Sequence, residues 1–345
     1  MIRPVEWLDD RLRIIDQTRL PGDTVYLEFT EYQGVVEAIK KLRVRGAPAI
    51  GVAAAYGIAL GAGKIQQHEK KEFLSRLEAV MQDFAAARPT AVNLFHAIDR
   101  MKRAAEIQDD AQAIKLALVN EAVQFHSEEI AATERISRYG AELIGDGDTI
   151  ITHCNAGPLA TAGHGTALGV IIAAAAQGKK ISVFVDETRP LLQGARLTTW
   201  ELLQENIQAV LITDSMAGYF LRKENINCVI VGADRIAANG DTANKIGTYS
   251  LAVLASENRV PFYVAAPVST IDLSAASGDY IPVEERTAEE VTTIAGTRVA
   301  PQGVQVANPA FDITPYKYIT AIITEEGIVN GQYEIELKKL KKEEY

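Results

Sequence analysis

The stretch Gly145-Asp-Gly-Asp-Thr-Ile-Ile-Thr-His-Cys154 marks the point where the pattern of the sequence changes. After it, short β-branched runs alternate with segments of helical periodicity. The predicted strands are 149–153, 180–185, 208–213, 228–231 and 261–264, and the predicted helices between them are 166–177, 195–206, 216–223 and 244–256. Such alternation is typical of a parallel sheet covered by helices on both faces. We therefore predict a doubly wound, Rossmann-like α/β domain over residues 145–345.

The residues before this stretch predict a mostly helical domain over residues 1–144. Two short strands are expected first, at 11–17 and 24–30. Apolar residues then recur at spacings of three, four and seven in three segments, which places them on one face of a helix. These segments run from Phe73 to Phe84, from Leu94 to Met101, and over 110–144. We assign these apolar stripes to the core and not to any chemistry.

Composition and charge exclude several classes of protein. The 345 residues are 48% hydrophobic and 23% charged, which is ordinary for a globular protein and unlike a disordered or collagen-like chain. Two cysteines are too few for a disulfide framework or a four-thiolate metal site. The net charge is −10, and the densest basic run, 338–342, is interspersed with glutamates, so no nucleic-acid partner is expected. With no apolar leader and no long apolar span, the sequence predicts a soluble, cytoplasmic protein without a membrane partner.

The loops that follow the predicted strands are the candidate sites, because ligands of open parallel sheets bind beyond the carboxyl ends of the strands. Cys154 follows the first strand, where backbone amides can lower the pKa of an accessible thiol. The alternative is that Cys154 is a small packing residue. His153 is not expected to act as its base, because neighbouring residues on a strand point to opposite faces.

Carboxylates follow the next three strands, at Asp186, Asp214 and Asp234. Asp234 is surrounded in the sequence by apolar residues, and an apolar pocket raises the pKa of a carboxyl and suits it to act as a general acid. The alternative role for an aspartate in such a loop is to cap a helix, which we expect most of Asp214, directly before Ser215.

Cationic and amide groups near predicted helix starts are candidates for binding an anion such as phosphate. Three places have this character: Asn244-Lys245, Arg45-Gly46-Ala47 and Arg88. Each arginine alone is also compatible with an ordinary surface position.

One motif points to a different function. Gly163-x-Gly165-x-x-x-Gly169 precedes a predicted helix, and Asp186 follows at the end of the next strand. This pattern is similar to a dinucleotide-binding fingerprint with one extra residue, and it would indicate a dehydrogenase. The motif is weak, because the loop of such a fingerprint should follow its strand closely.

Five motifs occur in order along the chain. They are Arg45-Gly-Ala-Pro-Ala-Ile-Gly51, Thr152-His-Cys-Asn-Ala-Gly157, Asp186-Glu-Thr-Arg-Pro-Leu-Leu-Gln-Gly-Ala-Arg196, Gly232-Ala-Asp-Arg-Ile236 and Asn244-Lys-Ile-Gly-Thr248. This ordered set resembles the 5-methylthioribose-1-phosphate isomerases of the methionine salvage pathway. That family is related to archaeal ribose-1,5-bisphosphate isomerases and to regulatory subunits of the eukaryotic translation-initiation exchange factor. The resemblance implies an aldose–ketose isomerase, an intramolecular oxidoreductase that is a homodimer, acts on a small sugar phosphate and uses neither metal nor organic cofactor.

The resemblance also implies roles for individual residues. Asp234 would be the proton donor, and Cys154 would be a base or would stabilise the transition state of a hydride shift. The implied substrate-binding residues are Arg45, Gly46, Ala47, Arg88, Gln193, Asn244 and Lys245. The alternatives are an isomerase of ribose 1,5-bisphosphate or 5-deoxyribose 1-phosphate, and a non-catalytic regulatory subunit of the same fold.

Overall fold

The computed structural model describes residues 2–89 and 91–342, so the last residues of the predicted second domain lie outside the described part. Two compact units are formed. The first contains the residues up to Glu134 together with Gly157–Gly165, and the second contains Arg135–Ala156 and the residues from Thr166 onwards. The division falls inside the continuous helix Ala111–Ala141, before the predicted boundary at 145.

The first unit combines a small antiparallel sheet with helices. Its sheet has the order β1-β2-β3, formed by Val5–Leu8, Arg11–Ile15 and Tyr26–Phe29. Its helices are α1 (Tyr32–Lys40), α2 (Ala47–Lys64), α3 (Lys70–Ala85), α4 (Val92–Glu106), α5 (Ala111–Ala141, which continues into the second unit) and the short α6 (Pro158–Thr161). The three apolar stripes of the sequence correspond to α3, α4 and α5. Strand β1 was not predicted, because four residues are too few to show a period.

Helix α2 forms the centre of the first unit. Every residue of Ala49–Ala62 is buried, as expected of a helix that is apolar on all sides. Phe73 and Phe84 of α3 are fully buried in the same core. Among the described residues, no helix is long and apolar enough to cross a membrane.

The second unit contains the large sheet. Its strands are β4 (Thr149–Thr152), β5 (Ser182–Asp186), β6 (Gln208–Ile212), β7 (Cys228–Val231), β8 (Arg235–Ala237), β9 (Thr242–Lys245), β10 (Phe262–Ala265), β11 (Ile271–Asp272), β12 (Thr293–Ile294), β13 (Thr297–Arg298), β14 (Phe311–Thr314), β15 (Ala321–Thr324) and β16 (Gly327–Val329). Its helices are α7 (Ala167–Ala176), α8 (Thr199–Gln204), α9 (Ala217–Lys223), α10 (Thr248–Glu257), α11 (Ala288–Thr292) and α12 (Tyr333–Lys342). The predicted strand positions agree with β4, β5, β6, β7 and β10.

Seven strands form the main sheet in the order β16-β15-β10-β7-β4-β5-β6. All neighbours are parallel except β16, which pairs antiparallel with β15. From β4 the chain proceeds outward through β5 to β6, and it then crosses to β7 on the other side of β4. The carboxyl ends of β4 and β7 therefore form the topological switch point, where open α/β sheets bind ligands.

Helices cover both faces of this sheet, which confirms the predicted α/β class. On β7, Val229 and Val231 pack in a cluster with residues of α9, α10 and α12. The alternate residues, Cys228 and Ile230, pack in a second cluster with α7 and the end of α5. This alternation follows from the two-residue period of a strand.

A smaller sheet of order β11-β8-β9-β14 was not predicted. The start of the predicted helix 244–256 is a strand in the structure, because β9 pairs antiparallel with both β8 and β14. The helix, α10, begins only at Thr248. Asn244 and Lys245 thus lie at the end of a strand and not in the first turn of a helix.

Candidate active site

Cys154 lies in a turn two residues beyond β4 and has a left-handed backbone conformation, with φ of +64°. Hydrogen bonds maintain this conformation on both sides of the residue. The backbone N–H of Cys154 donates to Thr188 Oγ1 at 2.8 Å, and the Thr198 hydroxyl donates to the Cys154 carbonyl at 2.6 Å. The residue is half-buried. The structure therefore presents Cys154 on a braced turn at the switch point, and not inside a strand.

Asp234 lies three residues beyond β7, the strand adjacent to β4. Its backbone N–H donates to the Ala243 carbonyl at 2.9 Å, which fixes the start of the β8–β9 hairpin. Its side chain is half-buried. Because parallel neighbours end at the same edge of a sheet, the two predicted catalytic residues both follow strands that end at this edge.

A buried polar pair supports the turn after Cys154. The Asn155 side-chain amide donates to Thr198 Oγ1 at 3.0 Å and also to the carboxylate of Glu201. Glu201 has no exposed surface, and Asn155 is 6% exposed. Glu201 and the two threonines that brace Cys154 were not predicted, because no spacing along the chain indicates such contacts.

His153 does not form a dyad with Cys154, in agreement with the prediction. Its Nδ1 lies 3.0 Å from Asp186 Oδ2, and its Nε2 lies 2.9 Å from the Ile246 carbonyl oxygen. Burial lowers the pKa of the imidazole, but the hydrogen bond and charge of Asp186, the charge of Asp214 and the Ile246 carbonyl outweigh it, so the pKa is raised.

Asp214 does not act as the helix cap that was predicted. Its two carboxylate oxygens accept the backbone N–H groups of Thr188 and Arg189, each at 2.7 Å. The carboxylate therefore orders the loop after β5, in which Thr188 also has a left-handed conformation, with φ of +64°. The carboxylate of Asp214 accepts hydrogen bonds from the free N–H groups of that loop and not from those of the short helical turn that begins at Asp214.

Among the described residues, His153, Asp186 and Asp214 form a group whose potential metal-ligand atoms lie within 4.8 Å of one another. Both ring nitrogens of His153 already face oxygen acceptors. Both oxygens of Asp214 accept backbone hydrogen bonds. Asp186 Oδ1 is buried without a hydrogen-bond partner among the described residues. The other contacts fit protons held on the ring nitrogens better than a metal ion, which requires several lone pairs directed towards it.

Gln193 contributes an unsatisfied polar atom to the loop after β5. The residue is 6% exposed, and its Oε1 is buried without a hydrogen-bond partner among the described residues. A buried amide oxygen without a donor is unfavourable. Gln193 is therefore suited to accept a hydrogen bond from a ligand hydroxyl.

The end of β9 differs from the predicted anion site. The backbone N–H groups of Gly247 and Tyr249, at the start of α10, donate to the carboxylate of Asp312 at 2.7 and 3.0 Å. An anion at this helix start would meet that carboxylate, so the helix-based reason for the prediction is wrong. Asn244, which is 5% exposed, donates to Thr248 Oγ1 at 3.0 Å. Lys245 Nζ donates to the Ala310 carbonyl at 3.0 Å.

The remaining predicted binding residues belong to the first unit. Arg45 and Gly46 directly precede α2, and Ala47 is its first residue. Gly46 has φ of +92°, and a Cβ atom there would lie 2.2 Å from the Ala160 carbonyl oxygen, so glycine is required. Arg88 is half-buried in the loop between α3 and α4.

The glycine motif does not have the properties of a dinucleotide site. The backbone N–H groups of Gly163 and Gly165 both donate to the Thr161 hydroxyl, at 3.2 and 3.0 Å. Asp186, which would contact the ribose, is 2% exposed and bonded to His153. The hydrogen-bonding groups that would recognise a dinucleotide are thus engaged within the protein.

Comparisons with known proteins agree with the resemblance seen in the motifs. The model of the Initiation factor 2 subunit family matches residues 43–331. A methylthioribose-1-phosphate isomerase of Geotalea uraniireducens is 60% identical over 340 residues, which are 98% of this chain and 98% of that protein.

Two solved structures are similar along almost the whole chain. The crystal structure of 5-methylthioribose 1-phosphate isomerase from Pyrococcus horikoshii has a TM-score of 0.93 at 45% identity, covering 99% of this chain and 96% of that one. The crystal structure of the translation initiation factor eIF-2B, subunit delta, from A. fulgidus has a TM-score of 0.90 at 44% identity, covering 99% and 100%. The chain therefore belongs to the initiation factor 2 subunit family, in the group that contains the methylthioribose-1-phosphate isomerases.

Proposed function

We propose that this chain is an aldose–ketose isomerase of methionine salvage that converts 5-methylthioribose 1-phosphate to 5-methylthioribulose 1-phosphate. The observation that carries the proposal is the position of Cys154 and Asp234 beyond the adjacent strands β4 and β7. The names of the similar proteins support the choice of substrate. A free thiol as a reacting group suits a reducing compartment, which supports a cytoplasmic location.

The chemistry of the proposed substrate determines which catalytic groups the reaction requires. Its anomeric oxygen carries phosphate, so the ring cannot open to a free aldehyde as in ordinary aldoses. Opening then requires an acid that protonates the ring oxygen as the bond from carbon 1 to that oxygen breaks, and Asp234 is the proposed acid.

Hydrogen then moves from carbon 2 to carbon 1, by one of two routes. In a hydride shift, the hydrogen moves with its electron pair while the carbon 2 hydroxyl loses its proton and becomes the ketone. In the enol route, a base removes the carbon 2 hydrogen as a proton, and carbon 1 is then protonated while the enol hydroxyl on carbon 2 loses its proton and becomes the ketone. Cys154 is the proposed base in the enol route and the proposed group that stabilises the transition state of the hydride shift.

Other residues are proposed to bind and orient the substrate. In the second unit, the buried Oε1 of Gln193 is suited to a sugar hydroxyl, and Asn244 and Lys245 contribute an amide and an ammonium group. In the first unit, Arg45, Gly46, Ala47 and Arg88 are proposed substrate contacts on the basis of the resemblance.

The direct test follows ketose formation without added cofactor, with 5-methylthioribose 1-phosphate, ribose 1,5-bisphosphate and 5-deoxyribose 1-phosphate as parallel substrates. We expect turnover chiefly of the first. Preference for another sugar would contradict the proposed substrate, and no turnover of any would indicate a non-catalytic subunit.

Variants test the proposed roles. Asp234→Asn and Cys154→Ser should each lower kcat by about 10²–10⁴-fold, the usual contribution of a general acid or base. The matched control is Cys228→Ala, because Cys228 is 2% exposed on β7 and packs in the core. Full activity in a folded Asp234→Asn or Cys154→Ser variant would contradict the role of that residue.

We also propose that the protein is a homodimer in which a second copy covers the edge strand β6. Val210 and Leu211 of this strand are 36% and 52% exposed, and the nearby Met216 and Tyr219 are 45% and 61% exposed. An open sheet edge with apolar side chains is normally covered. Sedimentation velocity should show a dimer for the wild type and a monomer for Leu211→Asp. A monomeric wild type would refute this arrangement.

A further inference from the structure

The environment of His153 determines its protonation. The side chain is 1% exposed, and its two ring nitrogens face the Asp186 carboxylate and the Ile246 carbonyl. A neutral imidazole has one N–H and can satisfy only one acceptor. A carbonyl oxygen cannot donate, so Nε2 carries a proton, and Nδ1 carries the second proton as long as Asp186 is ionised. Burial raises the pKa of Asp186, and the hydrogen bond and charge of His153 oppose that rise.

The carboxylates near the ring also favour its protonated form. Asp186 lies at the end of β5, Asp214 follows β6 with its Oδ1 at 4.0 Å from His153 Nδ1, and Asp312 belongs to β14. Burial raises the pKa of Asp312, whereas the backbone N–H groups of Gly247 and Tyr249 and the charge of His153 oppose that rise. Two carboxylates, one on β5 and one after β6, therefore lie within 4.0 Å of the imidazole, and a third, on β14, interacts with its charge.

The ring also connects two parts of the candidate site. On one side, His153 is joined by the backbone to Cys154, whose N–H is bonded to Thr188. On the other side, the ring contacts the segment after β9, where a Cβ on Gly247 would lie 2.8 Å from the ring carbon Cε1. Gly247 has φ of +105°, so the close approach of the ring and the local conformation both require glycine.

We propose that His153 is a permanently protonated positioning residue, which joins the turn of Cys154 to the β9–α10 segment and supplies a positive charge on the residue next to Cys154 in the chain. The functional part of this proposal rests on the role of Cys154 proposed above. His153 transfers no proton in the reaction, because both of its N–H groups stay bonded to oxygen acceptors. Its charge favours negative charge on the neighbouring sulfur.

The protonation state is measured directly by NMR of protein labelled with ¹⁵N in its histidine rings. Two protonated ring nitrogens are expected for His153 at every pH between about 7 and 9, a range above the ordinary histidine pKa of about 6.5. The internal control is His126, whose partners are the Tyr56 hydroxyl and the Ala162 carbonyl and whose pKa is lowered by burial. A neutral His153 at about pH 8 would overturn the proposal.

The resonance of His153 is assigned by its absence from His153→Gln. If that variant does not fold, the assignment is made by elimination from single glutamine variants of the other four histidines, His68, His96, His126 and His164. The measurement then uses wild-type protein only.

The effect on the thiol is measured by alkylation with iodoacetamide, an uncharged reagent, followed by mass spectrometry of the Cys154 peptide. In His153→Gln, alkylation near neutral pH should slow on the order of tenfold, which corresponds to about one unit in the pKa of the thiol. A purely structural loosening would expose the thiol and speed its alkylation instead. Unchanged or faster alkylation in the folded variant refutes the electrostatic part of the proposal.

Two controls accompany this experiment. Cys228 reports unfolding within the same sample, because it is buried and its pKa is raised to about 12. His126→Gln removes another buried imidazole and should leave the alkylation of Cys154 unchanged. In steady-state kinetics, His153→Gln should lower kcat with little change in KM. The NMR and alkylation measurements use no sugar phosphate, so their failure is distinguishable from failure of the proposed reaction.

Discussion

Substitution of Gly46 by alanine tests whether the start of α2 is constrained as the structure shows. The residue has φ of +92° and ψ of +135°, and a side chain in such a conformation costs about 1–3 kcal/mol. The added Cβ would also lie 2.2 Å from the Ala160 carbonyl oxygen and 2.5 Å from its Cα, where ordinary contacts begin at 3.4 Å. Because backbone atoms are displaced, relief of this overlap costs about another 1–3 kcal/mol.

The free energy of unfolding should therefore fall by about 2–6 kcal/mol in Gly46→Ala, a large part of the stability of a typical domain. The measurement is urea unfolding followed by circular dichroism, with the slope m checked for constancy. Gly63→Ala is the matched control, because Gly63 is the last residue but one of the same helix, is exposed, and has nothing within 4 Å of the added Cβ. That variant should gain about 0.5–1 kcal/mol. Equal stability of Gly46→Ala and the wild type would refute the reasoning.

Three further predictions concern the second unit and one buried histidine. Gly247→Ala should displace the His153 ring and lower kcat in the isomerase assay; an unchanged kcat together with an unchanged His153 NMR signature would contradict the contact. Gln193→Met should raise KM without loss of thermal stability, because the buried Oε1 has no partner to lose; a clear fall in the melting temperature would argue against this. The pKa of His126 is lowered by burial, so its contribution to stability is present above about pH 6.5 and is lost as the pH falls through the lowered pKa. The free energy of unfolding should therefore fall less steeply on acidification in His126→Gln than in the wild type. An equally steep fall in both proteins would contradict this prediction.

Much of the second unit was predictable because its signals are local. The predicted strand 228–231 coincides with β7, and 208–213 differs from β6 by one residue. The period of a strand or helix is visible within ten to twenty neighbouring residues. The smaller sheet was not predicted, and at Asn244 the pairing of β9 with β8 and β14 outweighed the helical pattern.

The site residues also divide into those that local sequence patterns indicate and those that distant contacts position. Cys154 and Asp234 were identified because a parallel sheet directs attention to the ends of its strands. Asp214 was misassigned because its partners, Thr188 and Arg189, precede it by 26 and 25 residues, and no spacing rule connects them. The carboxylate of Asp312 at the start of α10 was unpredictable for the same reason, since it lies 65 residues beyond Gly247.

The sequence by itself determined the α/β class, the strand ends that carry the candidate catalytic residues, and the family, because these depend on short periods and on ordered motifs. The tertiary structure alone decided that His153 bonds to Asp186 and to Ile246, which lie 33 and 93 residues away. It also decided that Cys154 lies on a left-handed turn braced by Thr188 and Thr198. These contacts form only when distant segments meet, and each depends on the directions of individual hydrogen bonds, which leave no periodic trace in the chain.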